Sequence, residues 1–136
     1  MLIPPPRHLA RRGVAVLAVL AIAAALIGLG AYRLTYGTFA FWAEPARISW
    51  CGRDYLPGGD TLLARAEVEQ QRGTLGGDQP YPLVQVARVP PVVGDPVLAS
   101  VTPPERRDPL HLPCAMVLYL QTGPDSYRPY ALSGGP

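Results

Sequence analysis

The stretch Gly13–Ala31 reads GVAVLAVLAIAAALIGLGA, and its reading decides the architecture. It holds nineteen residues without a charge or a strongly polar side chain. At ~1.5 Å rise per residue a helix of this length spans about 28 Å, close to the ~30 Å hydrocarbon core of a bilayer. Arg7, Arg11 and Arg12 stand before it, and Arg33 alone stands just after it. That asymmetry predicts a single-pass helix with a cytoplasmic N-terminus and everything downstream outside the cytoplasm. The chain then divides into a basic tail (1–12), a transmembrane helix (13–31), a juxtamembrane linker (32–45) and an extracytoplasmic domain (46–136). Tyr32, Tyr36, Phe39, Phe41 and Trp42 follow the helix as an aromatic belt or as the first hydrophobic residues of the domain.

A cleaved signal peptide is the rival reading, with export as its outcome too. The apolar run exceeds the usual h-region of about 7–15 residues. Of the small-residue sites, Gly28-Leu29-Gly30 falls inside the run and Thr38-Phe39-Ala40 well beyond it. A lipoprotein is disfavoured because bulky Ile48-Ser49-Trp50 precedes Cys51. Ala21, Ala25 and the Ala24/Gly28 pair place small residues four apart, a spacing that lets helices approach in lipid, but alanine is common in such helices. The oligomeric state stays open.

The formal charge of +2 over 136 residues hides a division. All 12 basic residues are arginine, and beyond the apolar run nine of them face ten acids, leaving −1. A near-neutral domain has no electrostatic footprint for nucleic acid. The absence of lysine and asparagine, both encoded by A/T-rich codons, fits coding bias in a high-GC genome.

Past the linker the pattern predicts short strands and one helix. Ala46–Trp50 reads as a strand ending at Cys51-Gly52, with a turn at Leu56-Pro57-Gly58-Gly59. Asp60 or Thr61 caps a helix over Leu62–Arg72, stopped by Gly73, and Gly73–Pro82 is loop. Valine-rich Leu83–Val89 and Val97–Val101 are strands, separated by the turn Gly94-Asp95-Pro96. Proline-rich Pro103–Pro113 reads as a surface loop. Cys114–Gln121 is the most strand-like run, and Tyr127–Leu132 returns beside it after Gly123-Pro124-Asp125-Ser126. The fold class expected is α+β: a transmembrane helix followed by a small, mostly antiparallel sheet of about five strands with one helix and one disulfide. The prolines argue against long strands or a helical bundle.

Cys51 and Cys114 are the two cysteines, both beyond the membrane segment, where thiols oxidise. A bridge between them closes about 63 residues, worth roughly 4 kcal/mol by chain entropy. No catalytic constellation stands out. His111 is the lone histidine beyond the apolar run, and Ser49, Ser100, Ser126 and Ser133 lack a nucleophile-elbow setting. Glu67 and Glu69, two apart on a helix, do not share a face. Gly73, Gly76 and Gly77 make no phosphate cradle, since no lysine follows them. Arg106-Arg107 is flanked by Glu105 and Asp108, the pattern of a solvated loop. Tyr119, Tyr127 and Tyr130 cluster on the predicted hairpin, as strand residues or as a binding surface.

The sharper chemical alternative is His111-x-x-Cys114-x-Met116, which gathers imidazole, thiolate and thioether, with Cys51 as a further ligand for Cu(I) or Zn(II). Against it, Met116 alternates with Leu118 and Leu120 and is expected in the core. The sequence carries no expected cofactor.

The basic tail, the Ala/Val/Leu anchor, Cys51-Gly52-Arg53 and the cysteine-bearing strand with a tyrosine-rich ending at Gly134-Gly135-Pro136 together set a style. In it the chain resembles uncharacterised small single-pass exported proteins of high-GC Gram-positive bacteria. The resemblance implies no activity. The expectation is a non-enzymatic interaction or accessory domain of the cell envelope, partnered by the membrane and by an envelope protein. The alternative is a metal- or redox-handling protein using His111, Cys114 and Met116.

Overall fold

The computed structural model describes residues 7–71 and 81–134. Of the expected loop Gly73–Pro82, residues 73–80 with the three glycines and the helix stop at Gly73 lie outside the described residues.

The N-terminal helix α1 runs Arg7–Tyr36, longer at both ends than its apolar centre. Arg12–Tyr36 is long and apolar enough to cross a membrane, and none of its apolar centre is buried against the rest of the chain. The helix passes through Tyr32 and Tyr36, where linker was expected, and stops at Gly37. There the backbone turns left-handed (φ 74°) and the Gly37 N–H bonds the Arg33 carbonyl at 2.9 Å. Glycine enters that conformation without the steric cost a Cβ imposes.

Six strands follow: β1 (Ile48–Trp50), β2 (Arg53–Pro57), β3 (Leu83–Val89), β4 (Asp95–Ser100), β5 (Val117–Gly123) and β6 (Ser126–Leu132). They form one antiparallel sheet in the order β1-β2-β6-β5-β4-β3. Ile48 from one edge strand and Val89 from the other join one buried cluster, with Tyr55, Val97, Ala99, Ala115, Leu118, Leu120 and Tyr130, so the sheet curls around its own apolar face. The opposite face carries a smaller cluster, Leu63, Val68, Tyr119 and Tyr127. Central β5 is therefore buried on both faces, which explains its unbroken apolar run.

Strand β2 departs from the expected turn. It buries a single residue, Tyr55, with two exposed residues on either side, too little for a periodic signal. Cys51-Gly52 forms the two-residue link between β1 and β2, both at positive φ (53° and 71°), the geometry that matches strand twist in tight hairpins.

The helix expected from Leu62 begins later, as α2 (Arg65–Gln71). Leu63 instead pairs with Tyr127 through two 2.9 Å backbone bonds. The first free amides of α2 are satisfied not by Asp60 or Thr61 but by Glu67, which accepts from the Ala64 N–H at 2.7 Å. Asp125 of the β5–β6 turn accepts from the Arg65 N–H at 2.7 Å.

The proline-rich loop holds a third helix, α3 (Pro104–Leu110). Proline is at home in a first helical turn, where its missing N–H would be unpaired anyway. The helix closes at His111 in the left-handed conformation (φ 52°) and buries no residue. Strand β5 begins at Val117 rather than Cys114, and Met116, expected in the core with Leu118 and Leu120, is 44% exposed because the alternation starts after it.

Candidate functional site

The sheet has two ends. The link between β1 and β2, α3 and the start of β5 lie at one end. The connection from α1, the β5–β6 turn and the β3–β4 hairpin tip lie at the other. The second end gathers the features that bear on function, beginning with the way α1 is joined to the sheet.

The last four carbonyls of a helix lack intrahelical partners. At the end of α1 the Arg33 carbonyl is met by the Gly37 N–H, and those of Leu34, Thr35 and Tyr36 by the segment that leads into β1. The Tyr36 carbonyl accepts the Ala46 and Arg47 amides at 3.0 and 3.3 Å. The Arg47 guanidinium donates to the Thr35 carbonyl at 3.1 Å and to that of Leu34, placing a cation at the negative end of the helix dipole. Arg33 donates to the Gly37 carbonyl at 2.5 Å. The Tyr36 ring packs against the main buried cluster.

The segment between helix and sheet is held from the other side by β6. Tyr130 is fully buried, and its hydroxyl donates to the Pro45 carbonyl at 2.8 Å. Arg128 pairs with Glu44 at 2.5 Å and donates to the Gly59 carbonyl at 2.9 Å. Burial pushes the Tyr130 phenol well above its ordinary range; the Glu44 carboxylate adds to the shift and Arg128 offsets part of it. The phenol therefore stays protonated and keeps its donor role.

The aromatic residues after the helix divide. Tyr36 belongs to the domain, whereas Phe39, Phe41 and Trp42 are exposed, Trp42 by 79%. Phe41 and Trp42 meet edge to face at 4.8 Å, and the Arg33 guanidinium lies 5.0 Å from the Phe39 ring centre. Beside them an open groove of about 430 Å³ is lined by Arg33, Leu34, Gly37, Ala46, Arg47 and Leu56. Aromatic rings with guanidinium groups suit a lipid–water interface, where one side is apolar and the other anionic.

The sequence-predicted chemistry is not brought together. Cys114 is bridged to Cys51, with Cα atoms 6.4 Å apart, and receives a 3.0 Å hydrogen bond from Arg107 on its sulfur. A bridged sulfur offers no thiolate. His111 and Met116 are both exposed, and no group of three or more His, Cys, Asp or Glu among the described residues is placed to hold a metal. Ser49 bonds the Asp54 carboxylate, and Ser100 the Tyr81 carbonyl at 2.7 Å. Tyr119, Tyr127 and Tyr130 are buried, so they form core rather than a binding surface.

Sequence reasoning found the aromatic cluster and placed Tyr130 on the hairpin, but missed Arg47, Glu44 and Arg128 and the Pro45 partner of Tyr130. Their partners lie as far as 85 residues away, and no local pattern marks such pairs. No protein-family model matches this chain, and neither does any curated protein or solved structure.

Proposed function

We propose that the chain is a membrane-anchored, extracytoplasmic interaction or accessory domain of the cell envelope, with α1 kept as an anchor. One observation carries this reading: the end of α1 is part of the domain's fold. Cleavage anywhere from Leu34 to Glu44 would sever the sheet from one or more of the Leu34, Thr35 and Tyr36 carbonyls that Arg47 and the Ala46 amide bond. A signal peptide is discarded, and a domain does not gain by building its core on a discarded segment. The arginine asymmetry around the helix supports an N-terminus on the cytoplasmic side. The metal- or redox-handling alternative is weakened by the loss of the Cys114 thiolate to the bridge.

The test pairs topology with mass. A reporter fused after Pro136 should be active only outside the cytoplasm. The intact mass of membrane-extracted protein should correspond to a chain starting at Met1 or Leu2. A mature N-terminus anywhere between Ala31 and Glu44 would refute the anchor.

A further inference from the structure

We propose that the β3–β4 hairpin tip, Pro90–Gly94, is a second membrane contact that sets Val92 and Val93 into the lipid interface beside α1. This rests on the anchor reading above.

The first support is position. Val89↔Asp95 closes the hairpin at the end of the sheet where α1 joins β1. Val89 at the base of the tip, Ile48 at the start of β1 and Tyr36 at the end of α1 all meet in one cluster. The tip and the anchor are thereby held on a common base. The exposed Phe39, Phe41 and Trp42 follow the same helix end.

The second support is chemistry. Exposed turns in water are built from Gly, Pro, Asn, Asp or Ser, and it is the paired valines of this tip that depart from that pattern. This one reads Pro90-Pro91-Val92-Val93-Gly94, with Val92 and Val93 exposed by 87% and 85%. Backbone N–H groups must be satisfied internally to enter lipid. Here Pro90 and Pro91 have none, the Val93 N–H bonds the Pro91 carbonyl at 3.0 Å, and the Gly94 N–H bonds the Pro90 carbonyl at 2.8 Å, so that of the tip's amides only that of Val92 is not bonded within the turn, which suits the interface rather than the hydrocarbon core. The nearest charges, Arg88 and Asp95, stand at the base, and Arg88 donates to the Gly94 carbonyl at 2.9 Å. A guanidinium at that height faces the phosphate layer when the valines lie in the interface.

The third support is that the tip is a built shape. Val92 sits at φ 75°, a costly conformation for a β-branched residue, in a turn closed by the Pro91–Val93 bond. A Cβ on Gly94 would lie 2.0 Å from the Val89 carbonyl carbon, so only glycine fits there. The fold holds two apolar side chains outward at a conformational cost, as structures do where a local shape serves contact.

The experiment uses the full chain reconstituted in vesicles of phosphatidylcholine and phosphatidylglycerol. A diazirine amino acid is placed in turn at Val93, Trp42 and Leu110, and lipid adducts are quantified by mass after irradiation. Leu110 is an exposed apolar residue at the opposite end of the sheet and reports chance contact. Adducts at Val93 and Trp42, several-fold above those at Leu110, are expected. Adducts at Trp42 with Val93 no higher than Leu110 would overturn the hairpin contact and leave the anchor standing. Absence of adducts at both Trp42 and Val93 would mean that this end of the domain stands clear of the bilayer and would overturn the hairpin contact, leaving the anchor to the mass and topology test above. Equal yields at all three positions would overturn the orientation on which the contact depends.

Discussion

Replacing Cys51 and Cys114 together by serine removes the covalent tie between the β1–β2 link and the segment that leads into β5. The bridge spans 63 residues of sequence, and chain entropy values such a closure at about 4 kcal/mol, with measured bridges commonly at 2–4. A domain of roughly ninety residues has a total stability of about 5–13 kcal/mol. Its unfolding entropy is near 190 cal/mol/K, so losing 2–4 kcal/mol lowers Tm by about 10–20 °C. Other consequences of the substitution are small. Cys51 already occupies positive φ, and serine meets that backbone on the same terms. Cys114 is buried beside the Arg107 guanidinium, so a serine hydroxyl there has a hydrogen-bond partner. The assay is thermal and urea unfolding of the two proteins in detergent, with alkylation before and after reduction counted by mass. Two alkylated cysteines in the native protein before reduction would refute the bridge. A double-serine variant melting within a few degrees of the parent would refute its role in stability.

Tyr130→Phe should cost about 1–3 kcal/mol, because it leaves the Pro45 carbonyl without its buried donor. Urea unfolding measures the loss, and a change below ~0.5 kcal/mol would mean that the Tyr130–Pro45 bond does not hold the segment leading from α1. Burial raises the phenols of Tyr55, Tyr119 and Tyr130 above the ordinary value of 10.0. Above that pH the unfolded chain releases protons that the folded one retains. Stability should therefore fall by up to ~1.4 kcal/mol per pH unit for each tyrosine and stay unaffected by them below about pH 9. Unfolding should coincide with tyrosinate absorbance, and early titration of all tyrosines in a folded protein would contradict it. His111→Ala should shift stability by no more than ~0.5 kcal/mol, as for an exposed position. Copper or zinc retained through purification and lost in that variant would revive the metal reading.

The apolar helix, the α+β class, β3 and the cysteine pairing were legible in the residues themselves, because each depends on a local run or on there being only two cysteines. Helix α3 was not, because proline content masks a first turn that tolerates proline. Strand β2 escaped because one inward tyrosine makes no period. Met116 misled because alternation extended by one residue reverses nothing in the pattern and everything in the burial.

The residues alone determined that nineteen uncharged positions form a helix able to span lipid, and that short proline-bounded strands follow it. Hydrophobicity and backbone restriction act over a few residues and leave their mark there. Only the tertiary structure decided that this helix ends inside the domain's fold, through Arg47 to Thr35, Tyr130 to Pro45 and Arg128 to Glu44. It also decided that the Pro90–Gly94 tip lies at the same end. Those relations come from the register of six strands and the curl that brings β1 and β3 into one cluster, and closure of distant segments leaves no trace in either partner's neighbourhood.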